Sequence, residues 1–353
     1  MVIRIFASCL SAVAYLATAL FYTLIASNAQ TSGFFRFPHT DGHWVVFTSE
    51  GDLWKVPLEG GTAIRLTTQI GEERYPKFSP DGSYIAYTGQ EDGQDDIFII
   101  SASGGSPNRL TFHPDRDQTV GWDYNGNIIF RSTREIPYRG YRLYRISTKG
   151  GLPQSLGLDK GALISFEPQG ERIAYTRWTL ENHRWKRYQG GWAMDIWVGN
   201  LNTLEFENLT DKSPYADWQG DYGFPMWHSN GRIYFLSNMP DAKGVIRNNI
   251  HSMLPDGSDH RQHTFHTRFD VRFPAMGGDL IVYQLGMDIW VYDIQRDSTW
   301  QIEITLPSDR LQTRVKYVKP MEYLTDFELS PDGRRLLLGS RGEIFTAPTQ
   351  GEG

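Results

Sequence analysis

One short pattern recurs along this chain and restricts its fold more than any other feature. A tight turn closed by glycine is followed at once by a short apolar run. The turns are Asp41-Gly42, Asp81-Gly82, Asn125-Gly126, Gln169-Gly170, Asn230-Gly231, Gly277-Gly278 and Asp332-Gly333. Asp and Asn tolerate left-handed backbone, glycine has no Cβ to clash there, and Pro80 and Pro331 preset the first φ of their turns. The runs that follow are HWVVFT, SYIAYT, NIIFRS, ERIAYT, RIYFLS, DLIVYQ and RRLLLG. They are short, β-branched or aromatic, and in places apolar on both faces, which is how a strand buried between neighbouring sheets reads.

A second strand follows each run, as DLWKV, DIFII, YRLYRI, DIWVG, NIHSM, DIWVY and EIFTA, and several copies close on a more polar third, IRLT, NRLT and ENLT. The period is roughly 40–45 residues, with longer intervals after Gly170 and Gly278; four short strands in such a period make a propeller blade. A blade cannot bury both its faces alone, so neighbours must stack and close into a ring. The expected fold is all-β: a six-bladed β-propeller of four-stranded antiparallel blades over 30–305, a linker over 306–325, and the first strands of a truncated second propeller over 326–353. The seventh copy has no closing strand, so a shortened reading frame is expected. The 353-residue composition agrees, with 14% aromatics, 11 Trp, 35 Gly and 18 Pro supplying short strands and turns.

Net charge is −6 with both signs interspersed, which excludes a nucleic-acid binder and a polybasic membrane-surface protein. The N-terminus has an early cation, Arg4, then no charge from Ile5 to Ala26, with Ser27 and Ala29 placed for signal peptidase. Residues 1–29 therefore read as a secretory signal cut after Ala29, giving a periplasmic or otherwise extracytoplasmic protein. An uncleaved anchor over residues 5–26 is the alternative, and the one expected route to a membrane. The single cysteine, Cys9, lies inside this segment, so the mature chain has no thiol for disulfides, zinc or nucleophilic catalysis.

Function collects where a repeat is interrupted, because insertions become loops on one face of the array. The largest interruption is TRWTLENHRWKRYQGGWAMDIW in the fourth copy. It interleaves Arg177, Arg184, Lys186 and Arg187 with Trp178, Trp185, Tyr188 and Trp192. Arg184, Trp185, Lys186, Arg187 and Tyr188 are the candidate binding residues, as a channel rim or a seat for a peptide carboxylate; an ordinary hairpin excursion is the competing reading. The acidic turn with Asp92, Asp95 and Asp96 departs from an EF-hand loop and reads as a solvated hairpin. His260, His263 and His266 cannot share one face of a strand, so no zinc site is expected with His251. Arg139, Arg142 and Arg145 read as a solvated basic hairpin. No cofactor or metal is expected, and no catalytic motif stands out: there is no G-x-S-x-G elbow, phosphate-binding glycine loop or H-E-x-x-H.

FSPDGSYIAYT and LSPDGRRLLLG resemble the TolB-like propeller superfamily. A more specific similarity is to the N-terminal region of the tricorn protease family, carried by Trp185, Lys186, Tyr188, Gly190, Gly191, Ile196 and Trp197 in HRWKRYQGGWAMDIWV, and by DIWVYDI of the sixth copy. The resemblance covers residues 34–345. It implies the non-catalytic propeller part of a large oligomeric serine peptidase, in which propellers sieve and conduct oligopeptides or unfolded chains to a catalytic region that this sequence does not match. The secretion signal departs from the cytosolic role of that family. A stand-alone TolB-like periplasmic module that binds a protein partner is the alternative. The propeller of a prolyl-oligopeptidase-like enzyme is a third, disfavoured by the second propeller start.

Overall fold

The computed structural model describes residues 33–350 except 92, 137–138, 169, 181–187, 189, 212–216, 219, 310–314 and 316. The chain divides into two units, Met1–Pro307 and Ser308–Gly353.

The first unit holds six four-stranded antiparallel sheets, each built from consecutive sequence. Their first strands are Arg36–Thr40, Arg74–Phe78, Asp117–Trp122, Leu163–Phe166, Tyr222–Trp227 and Val271–Gly277. Each first strand packs against those of both neighbouring blades, and that of blade six returns to that of blade one. They therefore line the axis, while the two-residue fourth strands Ile64–Arg65 and Asn108–Arg109 lie at the periphery. The glycine turns join first strands to second. The sequence copies thus start one strand late: the innermost strand of each blade precedes the turn by which the repeat is recognised.

Apolar second and third strands form the cores between blades. Ala86 and Ile97 of blade two pack with Ile128, Phe130 and Tyr144 of blade three. Across the closing seam, Val45, Phe47 and Trp54 of blade one pack with Val282, Ile289 and Val291 of blade six. A parallel pair, Gly61–Thr62 with Ile304–Thr305, fastens this seam. Gly277 is required there because a Cβ would lie 2.1 Å from the Thr40 carbonyl oxygen.

The polar ends of the repeats have one structural cause. Thr67, Thr111, Thr210 and Thr264 each accept a hydrogen bond through Oγ1 from a third-strand amide of the same blade: Leu53 at 2.8 Å, Ile97 at 3.0 Å, Ile196 at 3.2 Å and Ile250 at 2.9 Å. The hydroxyls donate in turn to Glu73, Asp96, Asp195 and Asn249. Buried donors and acceptors are thereby satisfied where the short outer strand leaves the sheet.

The second unit has a 3-10 turn, Pro320–Tyr323, and a three-stranded antiparallel sheet of Leu324–Leu329, Arg335–Ser340 and Glu343–Pro348. Leu306 belongs to the core of the closing seam, so the connection runs over 307–323. The turn of this sheet repeats that of blade two: Ser79 and Ser330 donate to Asp81 and Asp332, and accept from the amides of Tyr84 and Arg335.

Candidate functional site

The axis of the ring encloses a cavity of about 910 Å³ lined by the six first strands and the turns that follow them. Four of these strands carry an aromatic residue followed by proline: Phe37-Pro38, Tyr75-Pro76, Phe224-Pro225 and Phe273-Pro274. Each aromatic has a left-handed backbone, with φ of 53°, 54°, 53° and 48° in turn. Each lies in a bulge, where strand register shifts between Arg36 and His39, Arg74 and Lys77, Gly223 and Met226, and Arg272 and Ala275. Such backbone costs about 1–3 kcal/mol at a bulky residue, and its recurrence marks an imposed geometry.

The bulges bring these side chains together. Phe37 meets Tyr75 at 4.4 Å and Phe273 at 4.6 Å between ring centroids, and Phe273 meets Phe224 at 6.1 Å. Blades five, six, one and two thus share an aromatic collar. Arg131 of blade three adds its guanidinium 5.5 Å from the Tyr75 ring. Toward the glycine turns the cavity is lined by Asp41, Asp81 and Asp123, which stand at its rim. Each rim carboxylate accepts from amides of its own turn: His43 and Trp44, Ser83, and Asn125 and Asn127.

Between rim and collar lie His39 and Lys77. Burial pushes the Lys77 pKa down to about 8. Burial first, and the nearby Lys77 charge second, hold His39 well below the usual imidazole range. His39 Nδ1 accepts from the Phe78 amide at 3.2 Å, which places the proton of the neutral ring on Nε2. Trp122 donates through Nε1 to the Lys77 carbonyl at 3.0 Å, and the Trp227 amide donates to Ser165 Oγ at 2.8 Å. Side chains thus tie first strands of adjacent blades around the cavity wall.

Of the predicted binding residues, Arg184, Trp185, Lys186 and Arg187 lie outside the described residues. Tyr188 stacks on Trp192 at 6.5 Å, and Trp192 lies 6.2 Å from Trp178. Among the described residues, the cations on this cluster come from blade three and the segment after it: Arg139 over Trp192 at 5.1 Å and Lys160 over Trp178 at 4.5 Å. Arg177 instead pairs with Asp159 at 2.6 Å. Just beyond Trp178, Thr179 and Leu180 line the axial cavity. The fourth-blade excursion therefore reaches the axis through residues that the sequence reading did not single out.

One other expectation needs correction. Asp95 and Asp96 are not solvated: they are 2% and 1% exposed. Asp95 accepts from Arg74, Gln90 and Gln118, and Asp96 from Arg109 and Thr111. The basic hairpin is largely solvated: Arg139 and Arg145 are exposed, and Arg142 is half-buried and pairs with Glu135 at 3.3 Å.

The histidines of blade five point to separate partners. His251 bonds and stacks with His260, and His266 bonds Tyr283. His263 joins a polar chain in which Ser252 Oγ lies 2.7 Å from Nε2, and the Tyr292 hydroxyl lies 2.8 Å from Nδ1 and donates to Asp297. This contains the residue types of a catalytic triad, but Ser252 is fully buried and its Oγ accepts from Arg232 Nε. An inaccessible, occupied hydroxyl is a structural group, not a nucleophile.

Six blades closed around an aromatic-collared cavity define a six-bladed β-propeller. The chain belongs to the family of the tricorn protease N-terminal beta propeller domain, which matches residues 32–298. It is 29% identical over 332 residues to a tricorn protease homolog of Saccharolobus solfataricus, and 33% identical over 270 residues to tricorn protease homolog 1 of Streptomyces coelicolor. These alignments cover 92% and 74% of this chain but only 29% and 23% of those proteins. The crystal structure of the tricorn protease superposes with a TM-score of 0.71 at 23% identity, covering 91% of this chain and 31% of that one; this likeness shows the fold.

Proposed function

We propose that this chain is the peptide-guiding propeller of a secreted tricorn-like serine peptidase, handling oligopeptides for a catalytic region outside the sequence. The observation that carries the reading is the aromatic collar on the wall of the axial cavity. Rings on four blades offer faces and edges that grip an extended chain without regard to sequence, and their close packing opposes anything bulkier. Arg184, Lys186 and Arg187 serve in this reading as cations that orient a peptide's carboxylate beside the Tyr188–Trp192–Trp178 cluster. Residues 1–29 act as the secretory signal, and the complete peptidase assembles with copies of itself.

Photo-crosslinking tests this directly. Short peptides carrying one benzophenone side chain are incubated with the chain, irradiated and mapped by mass spectrometry. Attachment concentrated on Phe37, Tyr75, Phe224, Phe273 and Leu180 is expected. Attachment only to outer strands would remove the axial cavity from peptide handling.

A further inference from the structure

Two hydrogen-bond donors share the axial chamber without an acceptor. Lys77 lines the cavity, and neither an ion pair nor a hydrogen bond engages its ammonium group among the described residues. His39 spends Nδ1 on the Phe78 amide, leaving Nε2–H free toward the same space. Both residues line the same cavity, and the Phe78 amide that His39 accepts from belongs to the residue next to Lys77 in the chain. Asp41, Asp81 and Asp123 line the same cavity and accept from amides of their own turns, and among the described residues none forms an ion pair with Lys77. At the collar end, Arg131 donates to Gln118 at 2.8 Å and lies over Tyr75 and Tyr141. A half-buried cation without a paired counter-charge is poorly compensated, and an anion entering the chamber would supply that charge.

The remaining wall sets the rest of the ligand. Trp122, Trp227, Met226 and Met276 line the chamber, and aromatic and thioether groups favour an apolar body. Lys77 beside a neutral imidazole offers a carboxylate one positive charge and two donors, and Arg272 of blade six adds a further cation to the lining. We propose that the chamber binds a carboxylate carried on an apolar body, the carboxylate accepting from Lys77 Nζ and His39 Nε2 while the apolar part lies on the Trp and Met side chains. Such a group occurs on a medium-chain or aryl carboxylic acid and at the free end of an apolar peptide. The inference uses the chamber described above but does not depend on peptide handling.

The test is a titration of the full chain, followed by tryptophan fluorescence and calorimetry, with three probes: decanoate, a short apolar peptide with a free carboxyl end, and the same peptide amidated. Decanoate or the free-acid peptide is expected to bind at least about tenfold tighter than the amide, the scale of one charge-assisted hydrogen bond. Lys77→Met should erase that preference and Lys77→Arg should retain much of it, with unchanged circular dichroism showing that both variants fold. Tighter binding of the free-acid peptide than of decanoate assigns the site to a peptide terminus. Binding of decanoate with neither peptide bound supports the carboxylate site while sinking its role in peptide handling. Equal binding of acid and amide, binding of neither carboxylate, or an unaltered preference in Lys77→Met overturns the proposal.

Discussion

Phe37 of the first blade and Phe273 of the sixth meet edge to face, 4.6 Å between ring centroids. They close the ring at its axis, as Gly61–Thr62 and Ile304–Thr305 close it at its rim. Between these two fasteners the seam is held by side-chain packing and by a hydrogen bond from the Phe35 amide to the Met287 carbonyl at 3.0 Å, because no strand of one blade completes the sheet of the other.

The seam should be sensitive to a single methyl group. Gly277→Ala places a Cβ against the Thr40 carbonyl oxygen, and backbone on both sides must move. A loss of about 2–3 kcal/mol is expected by urea denaturation, in the range of overpacked cores. Gly278→Ala separates this effect from backbone strain, since nothing lies within 4 Å of its Cβ but its φ is +60°; its cost should stay near 1 kcal/mol.

The threonine clasps predict a graded series. Thr111→Val keeps the shape but strips the Ile97 amide of its acceptor and Asp96 of a donor. Each such change should cost about 1–3 kcal/mol, the penalty of an unsatisfied buried polar group. Equal stability of Thr111→Val and wild type in thermal melts would make the clasp incidental.

Buried histidines give stability a pH dependence of known sign. Burial lowers His251 and His260 from the ordinary imidazole value, most strongly at His251, and their mutual repulsion adds to it there. The unfolded chain therefore binds protons first as pH falls below about 6.5, and stability drops by up to about 1.4 kcal/mol per pH unit for each such group. His251→Phe should flatten the fall in urea midpoint between pH 7 and 5.5. Glu73 acts oppositely: burial pushes it up to about 8, with the Thr67 hydrogen bond opposing. Its stabilisation is full below its unfolded value of 4.5 and lost as pH rises through 8, so Glu73→Gln should stabilise the fold more at pH 8 than at pH 5.

The fourth-blade cations offer a functional test. Lys186→Ala with Arg187→Ala should change stability by under about 0.5 kcal/mol, as surface charges usually do. The same pair should weaken handling of longer peptides by the complete peptidase, read from its length selectivity. Unaltered selectivity would take these two residues out of the peptide path.

The ring was legible in the sequence because two local devices repeat, the glycine turn and the outer-strand threonine, and both act within one blade. The collar was not, although Phe37-Pro38, Tyr75-Pro76, Phe224-Pro225 and Phe273-Pro274 stand a few residues before their turns. Bulges break the alternation that marks a strand, and blades three and four put Val120 and Ile164 on the wall instead. Asp95 read as solvated because the residues that pair with its charge lie far along the chain, Arg74 on the first strand of its own blade and Gln118 on the next blade. Lys77 carries no signal in the sequence, because the chamber it faces is assembled from all six blades.

The parallel pair at Ile304–Thr305 also dictates when the fold can finish. During synthesis the first blade emerges long before the residues that seal its outer edge, and domains form as chain leaves the ribosome. Val45, Phe47 and Trp54 must wait, uncovered, until blade six arrives. Nascent chains halted before Ile304 should therefore present this apolar edge to chaperones, and lose that affinity once the last blade has been made.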